Sequence, residues 1–137
     1  MSDVALDTSA AVPLVLRSHV AHALVRARLG SRRPTLTGHS LVETYSVLTR
    51  LPGDARVAPA DAVALLDANF GPAVLLEPET ASTLPAVLAP IGVAGGAVYD
   101  ALVALAAQQA DLPLVTRDRR AASTYLALGT RIEIVSD

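Results

Sequence analysis

Short apolar runs alternate along this chain with longer helical stretches, and that alternation sharply limits the folds open to it. Val4-Ala5-Leu6, Thr35-Leu36-Thr37, Val74-Leu75-Leu76, Leu112 to Arg117 and Ile132 to Val135 read as strands. Between them, helical segments are expected from Ala10 (with Ser9 as cap and an early interruption at Pro13), from about His19 to Leu29, and from His39 to Leu51. Further ones run from Pro59 to Phe70, from Thr80 to about Pro90, from the Gly92–Gly96 loop onward, and from Asp118 to Leu128. The predicted order is β-α-α-β-α-α-β-α-α-β-α-β. Strands separated by helices cannot pair as hairpins; they cross over and run parallel. The expected fold is therefore a three-layer α/β/α sandwich on a mainly parallel sheet of four to five strands. No repeat or linker divides residues 1–137, so one domain is expected.

Two helices carry readable stripes. Leu41, Tyr45 and Leu48, with Val42 beside them, predict the inner face of one helix; Val63, Leu66 and Phe70 predict that of the next. The stretch Gly95 to Arg120 places an acid near each end of a helix–turn–strand unit. From Asp100 to Ala110 is about 15 Å of helix, and from Leu112 to Arg117 is about 16 Å of returning strand. The lengths nearly cancel, which predicts that Asp100 and Asp118 meet at one end of the fold.

Composition removes several chemistries. There is no cysteine, so thiolate catalysis, Cys zinc sites and disulfides are excluded. All 11 basic residues are arginine, so a lysine-dependent mechanism is excluded as well. The formal charge of −2 does not suit a protein that holds nucleic acid by bulk positive charge. The N-terminus, with Asp3 and Asp7, does not read as a signal peptide, and the uncharged run Thr80–Tyr99 is broken by prolines and glycines. A cytoplasmic protein without membrane contact is expected.

In an open parallel sheet, ligands gather outside the carboxyl ends of the strands. Asp7 follows the first strand, Glu43 lies about a turn into the helix after the second, and Asp118 follows the fourth. Asp100 joins them by the length argument. Asp100 is the hardest to explain otherwise, because its helix is apolar nearly all round and its own face carries Gly96, Ala97, Ala104 and Ala107. A lone carboxylate there is costly without compensation. Converging carboxylates need a cation, and an oxygen-only set suits Mg²⁺ or Mn²⁺. Such an ion can hold a phosphodiester and activate a water. Thr116 with Thr8 or Ser9 can add hydroxyl hydrogen bonds, and Arg117, Arg119 and Arg120 can hold a nucleic-acid backbone. Asp7 and Asp118 also suit plain helix N-caps, Glu43 a solvated position, and Asp100 a partner for a buried Arg. His19 and His22 could share one side of a helix, but no third metal ligand accompanies them.

With LDTSA at the start, LVETYSVLTRL in the middle and VYDALVALAAQQADLPLVTRDRRA near the end, the chain resembles PIN domains over essentially its whole length. It is most similar to the VapC-type ribonuclease toxins of bacterial toxin–antitoxin pairs. The resemblance carries that family's four metal-binding acids onto Asp7, Glu43, Asp100 and Asp118, with Thr116 as the hydroxyl beside them. It implies a Mg²⁺- or Mn²⁺-dependent endoribonuclease that forms homodimers. It also implies neutralisation by a cognate antitoxin, in a toxin–antitoxin hetero-oligomer.

Other readings fare less well. A receiver domain or a haloacid-dehalogenase-type phosphatase also places acids at strand ends, but both need a lysine. The phosphatase also needs an acid where Ser9 stands. A housekeeping RNA-processing nuclease without an antitoxin and a catalytically silent binding module are the remaining alternatives. The intact acid quartet weighs against the silent module.

Overall fold

In the computed structural model, which describes residues 1–137, the chain begins with β1 (Val4–Leu6), α1 (Thr8–Val15) and α2 (His22–Leu29). There follow β2 (Pro34–Leu36), α3 (Gly38–Thr49), α4 (Pro59–Asn69) and α5 (Pro78–Leu88). It ends with α6 (Ala97–Gln109), β3 (Leu114–Thr116), α7 (Arg119–Ala127) and β4 (Ile132–Ile134). The strands form one sheet in the order β2-β1-β3-β4, and every pairing is parallel. Leu6 stands opposite Leu36 on one side and Val115 on the other, which fixes β1 and β3 as the central strands.

Side chains alternate across the strands, and the two faces take different partners. Val4, Leu6, Leu36 and Val115 pack with Leu14, Val25 and Leu66 from α1, α2 and α4. Ala5 and Leu114 face the other way, onto Val103, Ala104 and Ala107 of α6 and Ala121 and Tyr125 of α7. Helices on both faces of a parallel sheet make the expected α/β/α sandwich. No helix is long and apolar enough to cross a membrane.

Several local expectations need correction. Val74–Leu76 is not a strand; Val74 makes a single parallel bridge with Thr37, and Leu75 is 70% exposed. Pro72, which has no N–H to donate, precedes it and Pro78 starts the next helix, so little chain is free to pair. The inner face of α3 is Ser40, Thr44 and Leu48, while Val42 faces solvent and Leu41 and Tyr45 are half-buried. Small polar residues serve there because Ser40 Oγ donates to the Leu6 carbonyl at 3.1 Å, tying α3 to the end of β1. In α4 the buried pair is Ala62 and Leu66, with Val63 turned outward. The first helix runs through Pro13 rather than breaking there, and its cap is Asp7, not Ser9. Helix α2 starts at His22, after a turn in which His19 Nδ1 accepts from the Ala21 N–H and His22 Nδ1 approaches the Pro13 carbonyl at 2.9 Å. Both imidazoles thus act as local structural contacts.

The helix–turn–strand unit folds back as its lengths predict. Asp111 follows Ala110, the C-cap of α6, with φ of 56°, its N–H reaching the Gln108 carbonyl and that of Leu112 reaching Ala107. That is a Schellman end, and it reverses the chain within two residues.

Candidate active site

The chain leaves β1 for β2 on one side and later returns to pair β3 on the other. The crevice outside the carboxyl ends of β1 and β3 is therefore the sheet's switch point, where α/β proteins hold ligands. Here a cleft of about 150 Å³ is lined by Asp7, Thr8, Ser9, His39, Glu43, Asp100, Val103, Asp118 and Tyr125. Four acids from four separate segments share it.

Asp7 leaves β1 directly and caps α1, with Oδ1 accepting from the Ala10 N–H at 3.3 Å. Ser9 Oγ donates to the same oxygen at 2.6 Å. Oδ2 accepts from the hydroxyls of Thr116 and Tyr125, the latter at 2.8 Å. Four donors thus hold this buried carboxylate in one orientation. Burial nevertheless pushes its pKa above the usual carboxylate value, against the opposing pull of the hydrogen bonds from Ser9, Thr116, Tyr125 and Ala10. The Tyr125 hydroxyl is pushed up too, by its own burial and by the Asp7 charge.

Asp118 follows β3 and caps α7, one oxygen accepting from the Arg120 and Ala121 N–H groups at 2.9 and 3.1 Å. Its own N–H donates to Thr116 Oγ1 at 3.0 Å. Capping and convergence are thus compatible roles for Asp7 and Asp118. Asp100, in the first turn of α6, is half-buried. Burial, then the charges of Asp118 and Asp7, push its pKa up; Arg120 offsets part of this and Glu43 adds to it. No hydrogen bond figures among those influences. Glu43 stands at the more open side, 46% exposed, with Oε2 at 3.2 Å from His39 Nε2. An ionised carboxylate only accepts, so the imidazole donates there.

The arrangement fits a hard divalent cation. The donors are all oxygens, their charges press on Asp100, and no arginine forms an ion pair with any of the four acids. The hydroxyl of Thr8, on the same cleft, is buried without a hydrogen-bond partner, the kind of polar atom that a ligand or its water satisfies. The acids ring the cleft without closing into a cage of three or more ligands at one point.

The other candidate residues divide. Thr116 is buried behind the cleft, whereas Ser9 is half-buried and lines it; their hydroxyls are 3.3 Å apart, and Ser9 Oγ also takes the Arg117 N–H at 2.7 Å. The Arg117 guanidinium donates to the Val135 carbonyl and Asp137, so it clasps the C-terminal segment and does not line the cleft. Arg119 and Arg120 open α7 without ion-pair partners, and Arg120 is close enough to act on Asp100. The sequence reading missed Tyr125 and His39. The signals were there: Tyr125 comes two helical turns after Asp118 on the buried Ala121-Ala122 face, and His39 is at i−4 from Glu43.

Comparison with known proteins gives this geometry a lineage. A family model described as the PIN domain matches residues 4–126. Ribonuclease VapC27 of Mycobacterium tuberculosis is 51% identical over 133 residues, covering 97% of each chain. The crystal structure of the M. tuberculosis toxin VapC20, described as cleaving the sarcin–ricin loop, superposes with a TM-score of 0.67 at 15% identity, covering 88% of this chain and 94% of that one. VapBC2 of Rickettsia felis, crystallised on a fragment of its promoter DNA, gives 0.66 at 14% identity, covering 97% and 98%.

Proposed function

This chain belongs to the PIN-domain family, and from that membership we propose that it is a divalent-metal-dependent endoribonuclease, the toxin of a toxin–antitoxin pair. The observation that carries the reading is the 51% identity to a protein named a ribonuclease over 97% of both chains. The acid cleft at the switch point gives that identity a chemical location. The antitoxin partner is supported by the VapBC assemblies among the structural neighbours. Homodimerisation, and assembly of the dimer with a cognate antitoxin, belong to the same reading.

Asp7, Glu43, Asp100 and Asp118 would hold Mg²⁺ or Mn²⁺. Such an ion supplies a bound water of lowered pKa and a positive charge against the phosphodiester. The chain's own contributions follow from the hydrogen bonds. Ser9, Thr116 and Tyr125 fix the Asp7 carboxylate in one orientation, and two backbone N–H groups fix Asp118. His39 orients Glu43 from outside, as an imidazole does for a metal-binding carboxylate. Asp100 contributes charge without any internal partner. Arg119 and Arg120 would hold the RNA backbone at the edge of the cleft.

The test is to induce the protein in a bacterial host and sequence the 5′ ends of cleaved RNA, comparing wild type with Asp100→Asn. New ends and growth arrest in wild type alone are expected. Equal cleavage by Asp100→Asn would overturn the assignment of the centre.

A further inference from the structure

One exposed aromatic stack stands at the rim of the acid cleft. His39 lines the cleft, and its ring lies on that of Tyr99 with centroids 5.4 Å apart and planes 17° from parallel. Glu43 anchors the stack by accepting from His39 Nε2. Tyr99 directly precedes Asp100 and is 57% exposed. The chain has only 3 tyrosines, one phenylalanine and no tryptophan, and Tyr125 and Tyr45 pack inward.

We infer that Tyr99, backed by His39, is a stacking subsite for one unpaired nucleobase of the RNA, beside the phosphate that is cut. The inference rests on the nuclease reading and names how that site grips its substrate. Bulk charge does little for binding here: the chain is net −2, and Arg28, Arg32, Arg33, Arg117 and Arg131 are engaged with acids of the chain itself. Stacking does not depend on charge. Every base has a π-face, and one base on an aromatic ring is worth about tenfold or more in affinity. Bases inside a duplex are already stacked and are not available, so the subsite selects loops and single strands.

The experiment uses the whole 137-residue chain carrying Asp100→Asn, chosen because it is expected to leave RNA uncut, and a short oligouridine RNA bearing one 2-aminopurine. Parent protein is expected to bind it and quench the 2-aminopurine by stacking. Adding Tyr99→Ala should weaken binding about tenfold and remove the quenching, whereas Tyr99→Phe should keep both. Binding by Tyr99→Ala within about twofold of the parent, with quenching intact, would overturn the subsite. If wild type cleaves RNA while Tyr99→Ala binds normally, the subsite fails alone. If wild type neither binds nor cleaves, the nuclease reading falls and takes the subsite with it.

Discussion

The Tyr125 hydroxyl donates to Asp7 Oδ2 at 2.8 Å, joining two residues 118 positions apart in the chain. The bond links the last long helix to the end of the first strand, inside the core, at the point where the acids converge. It makes the orientation of Asp7 depend on packing as well as on capping.

Removing only that hydroxyl is informative. Tyr125→Phe is expected to cost about 1.5–3 kcal/mol of stability near neutral pH, the range for a hydrogen bond to a charged group. The cost should shrink in acid, where Asp7 is protonated. Urea unfolding of both proteins at two pH values checks this; equal stability at neutral pH would show that the bond contributes nothing.

The acids also set a pH dependence with a definite sign. Burial pushes the folded-state pKa values of Asp7 and Asp100 above that of an ordinary aspartate. Above that value the folded state holds more protons than the unfolded chain, so stability falls as pH rises through the folded pKa values. Metal-free protein should thus melt lower at neutral pH than in mild acid. Asp3 and Glu133, whose pKa values are lowered by Arg33 and Arg32, act oppositely and lose their contribution only in stronger acid. Thermal melts across pH, with Asp100→Asn as the control that reduces the trend to the part Asp7 contributes, decide the matter.

Divalent metal should reverse that penalty. Mg²⁺ or Mn²⁺ at a hundred times its Kd should add about 2.7 kcal/mol to stability. The gain should be larger at neutral pH than in mild acid, and it should be lost in Asp100→Asn. An unchanged melting curve in millimolar metal would count against the site.

The turn that brings Asp118 back to Asp100 carries a strained residue. Asp111 sits at φ of 56°, and a β-branched side chain tolerates that region poorly. Asp111→Val should destabilise by about 1–2 kcal/mol, while Asp111→Gly should be neutral or stabilising, since its partner Arg131 is exposed. Denaturant midpoints for the pair test the assignment.

Much of this fold is visible in the sequence because a parallel α/β chain announces itself through its period. Each strand of the sheet overlaps an expected one, although β2 (Pro34–Leu36) is shifted by one residue and is not an apolar run, and the return of Asp118 toward Asp100 follows from counting residues. What the sequence hid were contacts that depend on the register of one helix against its neighbours. Ser40 and Thr44 look like solvent residues until α3 is seen pressed onto the end of β1. Val74–Leu76 looks like a strand because apolar runs are ambiguous, and only the neighbouring prolines limit it to one bridge. Arg117 looked like a ligand for phosphate because charge is visible in a sequence, whereas the nearby carbonyl of Val135 is not.

The parallel pairing of β1 with β3 has a consequence for the protein's synthesis. Ala5 meets Leu114 and Asp7 meets Thr116 only after more than a hundred intervening residues are in place, and contacts this distant form late and slowly. While a ribosome is still translating the middle of the message, Asp7 has emerged but Thr116, Asp118 and Tyr125 do not yet exist. The centre therefore cannot assemble until Tyr125 has been made, and a ribosome translating the middle of the message carries a chain whose acid cleft does not yet exist.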